Sequence, residues 1–380
     1  MEHYLTAEIS RSAVTHNLRS IRQRLPKRCA VCAVVKADAY GHHLAGLWPT
    51  IAAEADVLAV ATLREAEALR DRGYEGRLLT TIACGAQSGG NLLEGAIDAA
   101  RRGIELSVTD AADVRALQRG AAAANLQPAV HVKIDTGMGR SGVLPADAPA
   151  LVRAVRDASA LRLVGVCTHF AASDRADKAY TKRQFATFTK TLTALGDLSG
   201  VARHAANSAA VADLPATALD MVRVGLAVYG YASGDELVDP LPLRPALRLS
   251  GPIVQAKRLP AGAVCGYGCA CRLERPSRIG IIPFGYADGL PRSLSSRCAA
   301  TAADVLLPVL GRISMDQIIV DLTEAPDVRI GRRVTLISPD PSAPNSVMNL
   351  ARLAGTIPYE IISRLGRRIR YVMVDEFDDL

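Results

Sequence analysis

The segment "VCAVVKADAYGHH", Val31 to His43, carries a hydrophobic, β-branched run onto a lysine, Lys36. Runs of this kind suit a pleated surface covered on both faces. With a side-chain period of two, Cys32, Val34 and Lys36 share one face. An ammonium is thereby delivered to the end of a strand that otherwise points at a core, and lysine is rarely buried unless something pairs with it or reacts with it. Further polar residues stand where later apolar runs stop: Arg140 in "VKIDTGMGRSG", His169 in "VCTHF", Asn207 and Ser208 in "HAANSAA", and Arg223 with Gly225 in "MVRVGLAVYG". Singly, each has an ordinary explanation: a solvated lysine, a core histidine, a salt-bridged arginine, a loop serine or glycine. Together they place an amine near groups that bind anions.

The elements that position them repeat. From about residue 30 to 230, short apolar runs alternate with Ala/Arg/Glu-rich helical stretches, the pattern of βα units. Expected strands are 31–36, 57–61, 78–84, 104–108, 129–134, 162–169, 201–206 and 221–229, with helices between them at 63–72, 111–124 and 182–195. Eight parallel strands with intervening helices imply a closed (β/α)8 barrel, whose active site lies at the C-terminal strand ends. Lys36 is at such an end. The loops after the seventh and eighth barrel strands often bind phosphate, and Ser208 and Gly225 fall there. A lysine beside a phosphate site in a barrel suggests a Schiff base with pyridoxal 5'-phosphate, for which the lysine supplies the amine. Beyond residue 235, Pro240, Pro242 and Pro245 cluster and β-rich runs follow at 247–257, 277–283, 305–313, 317–322 and 333–337, with one late helix at 347–355. The expected division is a barrel over 1–235 and a β-rich domain over 236–380.

Composition narrows the partners. The chain has 380 residues, 49% hydrophobic and 22% charged, so disordered and fibrous classes are excluded. Its net charge of +7 is modest for this length, and the basic stretch from Arg22 to Arg28 reads as a solvated helix end, so no nucleic-acid partner is expected. A basic balance also suits a phosphorylated ligand or a carboxylate substrate. No apolar run reaches the ~18 residues of a membrane span and the N-terminus lacks a signal pattern, so the expected compartment is the cytoplasm. Eight scattered cysteines read as free thiols, and no metal site is expected from Cys29 and Cys32 or from Cys265, Cys269 and Cys271.

The motifs "VVKADAYGH", "KIDTGMGRSG", "THFAASD", "VRVGLAVYG", "GYADG", "GRISMDQ" and "TIPYE", in this order and across essentially the whole chain, resemble those of the alanine racemases, the fold-type III pyridoxal phosphate enzymes. The resemblance implies that Lys36 holds the cofactor and that Tyr267, in "CGYGC", is the second catalytic residue. It further implies phosphate contacts from Tyr40, Ser208, Gly225, Leu226 and Tyr359. Racemisation removes the α-proton on one face and returns one on the other, so two bases are needed: Lys36 for D-alanine and Tyr267 for L-alanine. A phenol titrates near 10, so Tyr267 needs positive neighbours, a field expected from His169 and Arg223. By the same resemblance Arg223 faces the pyridine nitrogen and keeps it unprotonated, because guanidinium hardly ever gives up its proton. Arg140 would lie beside the cofactor hydroxyl and the substrate carboxylate. Lys133 matches a lysine that can be carbamylated to hold that arginine, and Met315 would add a backbone contact to the substrate. A head-to-tail homodimer would supply Tyr267 and Met315 from the partner chain. Departures are His43 after "AYGH", Ser314 in "GRISMDQ", and the cysteine-rich "GCACRLERPS" after Tyr267. A racemase of wider small-amino-acid specificity, a decarboxylase of the same fold type and a non-catalytic pyridoxal phosphate carrier are the alternatives. Tyr267, Arg223 and the C-terminal domain favour racemisation, whether for D-alanine supply or for breakdown.

Overall fold

In the computed structural model, residues 4–85, 90–234, 236–303 and 305–378 are described. The first strand, β1 (Thr6–Ser10), precedes eight parallel strands that close on themselves. These are β2 (Ala30–Val34), β3 (Val57–Val60), β4 (Arg77–Ala83), β5 (Ile104–Val108), β6 (Ala129–Lys133), β7 (Arg162–Cys167), β8 (Ala202–His204) and β9 (Met221–Val224). The barrel is sealed by β2 pairing with β9 from Ala30↔Met221 to Ala33↔Val224. Strands covered by helices outside and packed side chains inside need apolar residues at consecutive positions. Accordingly every residue of "VLAV" in β3 and "IELSV" in β5 is buried. The surrounding helices start on side-chain caps: Thr62 and Glu65 form a capping box for Leu63–Asp71, and Asp110 accepts from Ala112 and Asp113 at the head of Ala111–Ala123.

Six barrel strands are shorter than the sequence pattern suggests, and two of the differences bear on the site. β2 stops at Val34, and Lys36 opens a single left-handed turn instead of extending the pleat. β9 stops at Val224, where Gly225 breaks the run and Leu226–Tyr229 form a 3-10 turn.

The remaining strands build three smaller sheets: β10 (Leu247–Pro252), β11 (Gln255–Leu259), β12 (Val264–Cys265), β13 (Cys271–Arg272), β14 (Ser277–Ile282), β15 (Ala299–Ala302), β16 (Val305–Pro308), β17 (Ile318–Asp321), β18 (Arg333–Ile337) and β19 (Arg370–Val374). The largest has the order β16-β15-β18-β10-β1-β19. β1 lies antiparallel to β10 and parallel to β19, so the N-terminal strand joins the sheet of the C-terminal half. The expected division point, residue 235, lies outside the described residues. The 247–257 run is two strands, broken at Ile253 and Val254. Asn17 ties the first helix to the connection between the halves, its amide donating to the carbonyls of Val228 at 3.1 Å and Arg244 at 2.8 Å. Among the described residues no helix is long and apolar enough to cross a membrane.

Candidate active site

Lys36 begins a segment in which Ala37, Asp38, Ala39 and Tyr40 all have φ between 51° and 56°. Each L-residue costs roughly 1–2 kcal/mol there, so the turn must be held by its surroundings. Glu65 accepts from the Ala37 amide at 2.7 Å, and Asp38 accepts from the Leu44 amide at 2.7 Å. Gly41 continues the turn at φ 79°, and a Cβ there would run into the Ile362 carbonyl. The helix Pro358–Ser363 is thereby seated against the turn. Lys36 itself is half-buried; desolvation first, and then the charge of Arg140, lower its pKa against the opposing pull of Glu65. A lysine so placed has more of the free amine that attacks carbonyls.

Hydroxyl and amide groups gather beside it. Tyr40 packs on Tyr229 and Tyr359, with ring centroids 5.1 and 5.9 Å apart. A Cβ on Gly225 would overlap the Tyr40 hydroxyl, so the phenol approaches the backbone only because this residue is glycine. Ser208 Oγ accepts from the Gly225 amide at 3.0 Å, which leaves its own proton to donate. Asn207 caps the helix that starts at Ser208. Leu226 is buried and follows directly. Hydroxyls, backbone N–H groups and a capped helix start suit a phosphate, so these residues fit the pyridoxal phosphate that the sequence suggests.

Arg223 projects from β9 into the barrel. Its Nη2 donates to the Thr168 carbonyl at 2.7 Å and to His169 Nδ1 at 3.3 Å, and its Nη1 donates to His204 Nδ1 at 2.9 Å. Burial, and then Arg223, Arg140, Lys133 and Lys36, push the His169 pKa down to about 3. His169 is therefore neutral at ordinary pH. Four cations around this imidazole disfavour its charged form, so the positive field expected near Tyr267 comes from those cations, Arg223 first, rather than from His169.

Asp135, which sequence reasoning passed over, organises the loop after β6. Its Oδ1 accepts from the amides of Gly137 (2.9 Å), Met138 (2.8 Å) and Gly139 (3.1 Å), and its Oδ2 from that of Arg140 (3.1 Å). Burial raises its pKa, but these four donors outweigh that and hold it below the usual carboxylate value. Arg140 is exposed at the end of this loop. Lys133, the last residue of β6, has its pKa lowered mainly by burial, with Arg140 and Arg223 contributing. Gln184, also missed, pins the His169 segment by accepting from the Ala171 amide at 2.9 Å and donating to the His169 carbonyl at 3.1 Å. The available signals were Asp135 beside two glycines, and a glutamine buried on a helix.

Comparison with known proteins decides the family. The alanine racemase N-terminal domain family matches residues 9–233 and the alanine racemase C-terminal domain family residues 246–373. The chain belongs to the alanine racemase family. The alanine racemase of Desulfovibrio desulfuricans is 37% identical over 374 residues, covering 97% of this chain and 98% of that protein. That of Halothermothrix orenii is 36% identical, covering 96% and 95%. The crystal structure of the enzyme from Streptomyces lavendulae superposes with a TM-score of 0.90 at 34% identity, covering 99% of this chain and 98% of that one.

Two of the residues expected at the site are exposed on the C-terminal half of this chain. Tyr267 lies in the tip joining β12 to β13 and is 69% exposed; Met315 is 53% exposed. The Met315 carbonyl accepts from the Ala287 amide at 3.0 Å, and Gly285 has no Cβ where that carbonyl packs. Cys265 and Cys271 face each other across the β12–β13 pair, and none of the eight cysteines is in a disulfide.

Proposed function

We propose that this chain interconverts L- and D-alanine with pyridoxal 5'-phosphate, using Lys36 and Tyr267 as its two bases. The observation that carries the reading is the half-buried amine of Lys36, with its charged form disfavoured, on the turn whose Tyr40 packs against Gly225 and so beside Ser208. Bound at Lys36, the cofactor would supply an electron sink that makes the α-hydrogen of alanine acidic. Tyr40, Ser208, Gly225, Leu226 and Tyr359 would hold its phosphate, and Arg223 would face its ring nitrogen without giving up a proton. Arg140 orients the alanine carboxylate, and Lys133, whose charged form burial disfavours, supports Arg140 as a carbamate. His169, neutral, fixes the Arg223 guanidinium.

Lys36 Nζ removes the α-hydrogen of D-alanine on one face, and Tyr267 Oη removes that of L-alanine on the other. Each returns a proton to the face it serves when the reaction runs in reverse. Because Tyr267 and Met315 lie exposed on the C-terminal half, the reading includes a homodimer in which Tyr267 of the partner subunit completes each site. Val264 and Tyr286, also exposed and on the same half, suit such an interface. The proposed compartment is the cytoplasm, in keeping with eight cysteines that form no disulfide. The test is loss of optical rotation when the cofactor-loaded protein is mixed with L-alanine. Rotation should fall to zero for the parent and stay constant for Lys36→Ala; a parent that leaves rotation unchanged overturns the reading.

A further inference from the structure

Beneath Arg223 the barrel interior holds a line of polar side chains that the proton transfers above do not use. Arg77 on β4 donates to Glu105 on β5 through Nε at 2.8 Å and Nη2 at 3.1 Å. Glu105 Oε2 lies 2.7 Å from His131 Nε2 on β6, His131 Nδ1 lies 3.0 Å from His204 Nε2 on β8, and His204 Nδ1 receives Arg223 Nη1. Both histidines are 0% exposed. On β7, Gly165 stands where any Cβ would fall on His131 Nδ1, so the line passes through space kept free by a glycine.

The two ends settle every proton between them. Arginine can only donate and a carboxylate can only accept. His204 Nδ1 must therefore be bare, and His131 Nε2 must carry a hydrogen. One proton remains for the contact between the rings, and with both rings neutral it can sit only on His204 Nε2, donated to His131 Nδ1. An added proton on either ring would set two N–H groups face to face and leave a buried donor without an acceptor. The surroundings agree: burial, then Arg223, keeps His204 well below the usual imidazole pKa. Burial raises the Glu105 pKa, but His131 and Arg77 hold it to about 2, so Glu105 is ionised. The thiols Cys32 on β2 and Cys167 on β7 also feel Arg223, and burial pushes both up, Cys32 to about 12.

We infer that Glu105 and His131 are positioning residues for Arg223, orienting every proton of the relay away from the barrel mouth and holding the guanidinium on a neutral acceptor. No proton on this line can then be handed up past Arg223. The inference rests on the proposed function only for the statement that Arg223 faces the cofactor ring.

Nitrogen-15 NMR of imidazole-labelled protein, with and without pyridoxal phosphate, tests the relay independently of turnover. The parent should show His131 and His204 both neutral and both protonated at Nε2. An imidazolium signal, or the Nδ1–H tautomer at either ring, overturns the inference. Glu105→Gln keeps an acceptor oxygen and should keep both tautomers. Glu105→Leu removes the acceptor and should give mixed tautomers, an altered absorbance of the bound cofactor, and a fall in kcat on the order of tenfold, the scale of other hydrogen-bonded supporting residues. KM for alanine should be unchanged, because Arg140 is untouched. A folded Glu105→Leu protein with parental tautomers and absorbance overturns the role of Glu105; should that variant not fold, Glu105→Gln losing the parental tautomers would overturn it equally. If the parent fails to racemise alanine yet shows the expected tautomers, the functional reading fails and the relay stands.

Discussion

At Tyr267 a single oxygen distinguishes phenylalanine from the proposed base, so Tyr267→Phe isolates the chemistry from packing. Full racemisation should fall about a hundred- to ten-thousandfold in both directions, since each direction needs both groups. Exchange of the α-hydrogen in deuterated water should persist for D-alanine relative to L-alanine, because Lys36 remains. Equal loss of exchange from both enantiomers would reassign the second base. Asp135 gives a second test, through pH. Its folded pKa is depressed, so the stability from its four amide hydrogen bonds is present above the unfolded value near 4 and is lost as pH falls through the lower folded value. Asp135→Asn should flatten that acid limb in urea titrations. Asp135→Ala should cost roughly 1.5 kcal/mol, the lower end for hydrogen bonds to a charged group because the site is half-exposed, and should raise KM for alanine by freeing Arg140. Lys36, Arg140, Ser208 and Arg223 stood out as candidates because each lies in, or in the loop just after, the end of an apolar run. Asp135 and Glu105 were not, since a carboxylate aimed at backbone amides and one buried inside a barrel look the same as a surface carboxylate in sequence.

At the scale of elements, the left-handed turn and the break at Gly225 meet. Tyr40 leaves the turn and its phenol takes the volume a Gly225 side chain would fill. Gly225→Ala should therefore displace Tyr40, with a stability cost of about 1–3 kcal/mol from overpacking, and weaken pyridoxal phosphate binding measured by fluorescence. Tyr40→Phe removes the atom that clashes. In the double variant the stability cost should be smaller than the sum of the two single changes, and strict additivity would show that the two residues do not touch. The alternation of strands and helices was readable because burial on both faces demands apolar runs. The turn was not, because nothing in "KADAY" favours positive φ; the contacts from Glu65 and Ile362 impose it.

For the whole molecule, the exposed Tyr267 and the buried mouth around Lys36 predict complementation. Lys36→Ala and Tyr267→Phe homodimers should each be inactive, whereas mixing them under conditions of subunit exchange should restore roughly a quarter of parental turnover, as random pairing in a two-fold dimer rebuilds one site in half of the dimers. No recovery, with exchange verified by mass spectrometry, would place both bases in one chain.

Sequence by itself determined the barrel, the β-rich C-terminal half and the residues at the strand ends, because periodic burial and an ordered set of motifs are local properties of the chain. Tertiary structure alone decided that β1 crosses into the C-terminal sheet, that Lys36 leaves its strand in a left-handed turn, and that His169 is neutral. It also decided that Glu105 reaches Arg223 through two histidines. Strand pairing, backbone strain and proton placement depend on groups distant in the chain that meet only once it is folded, and no spacing along the chain encodes those distances.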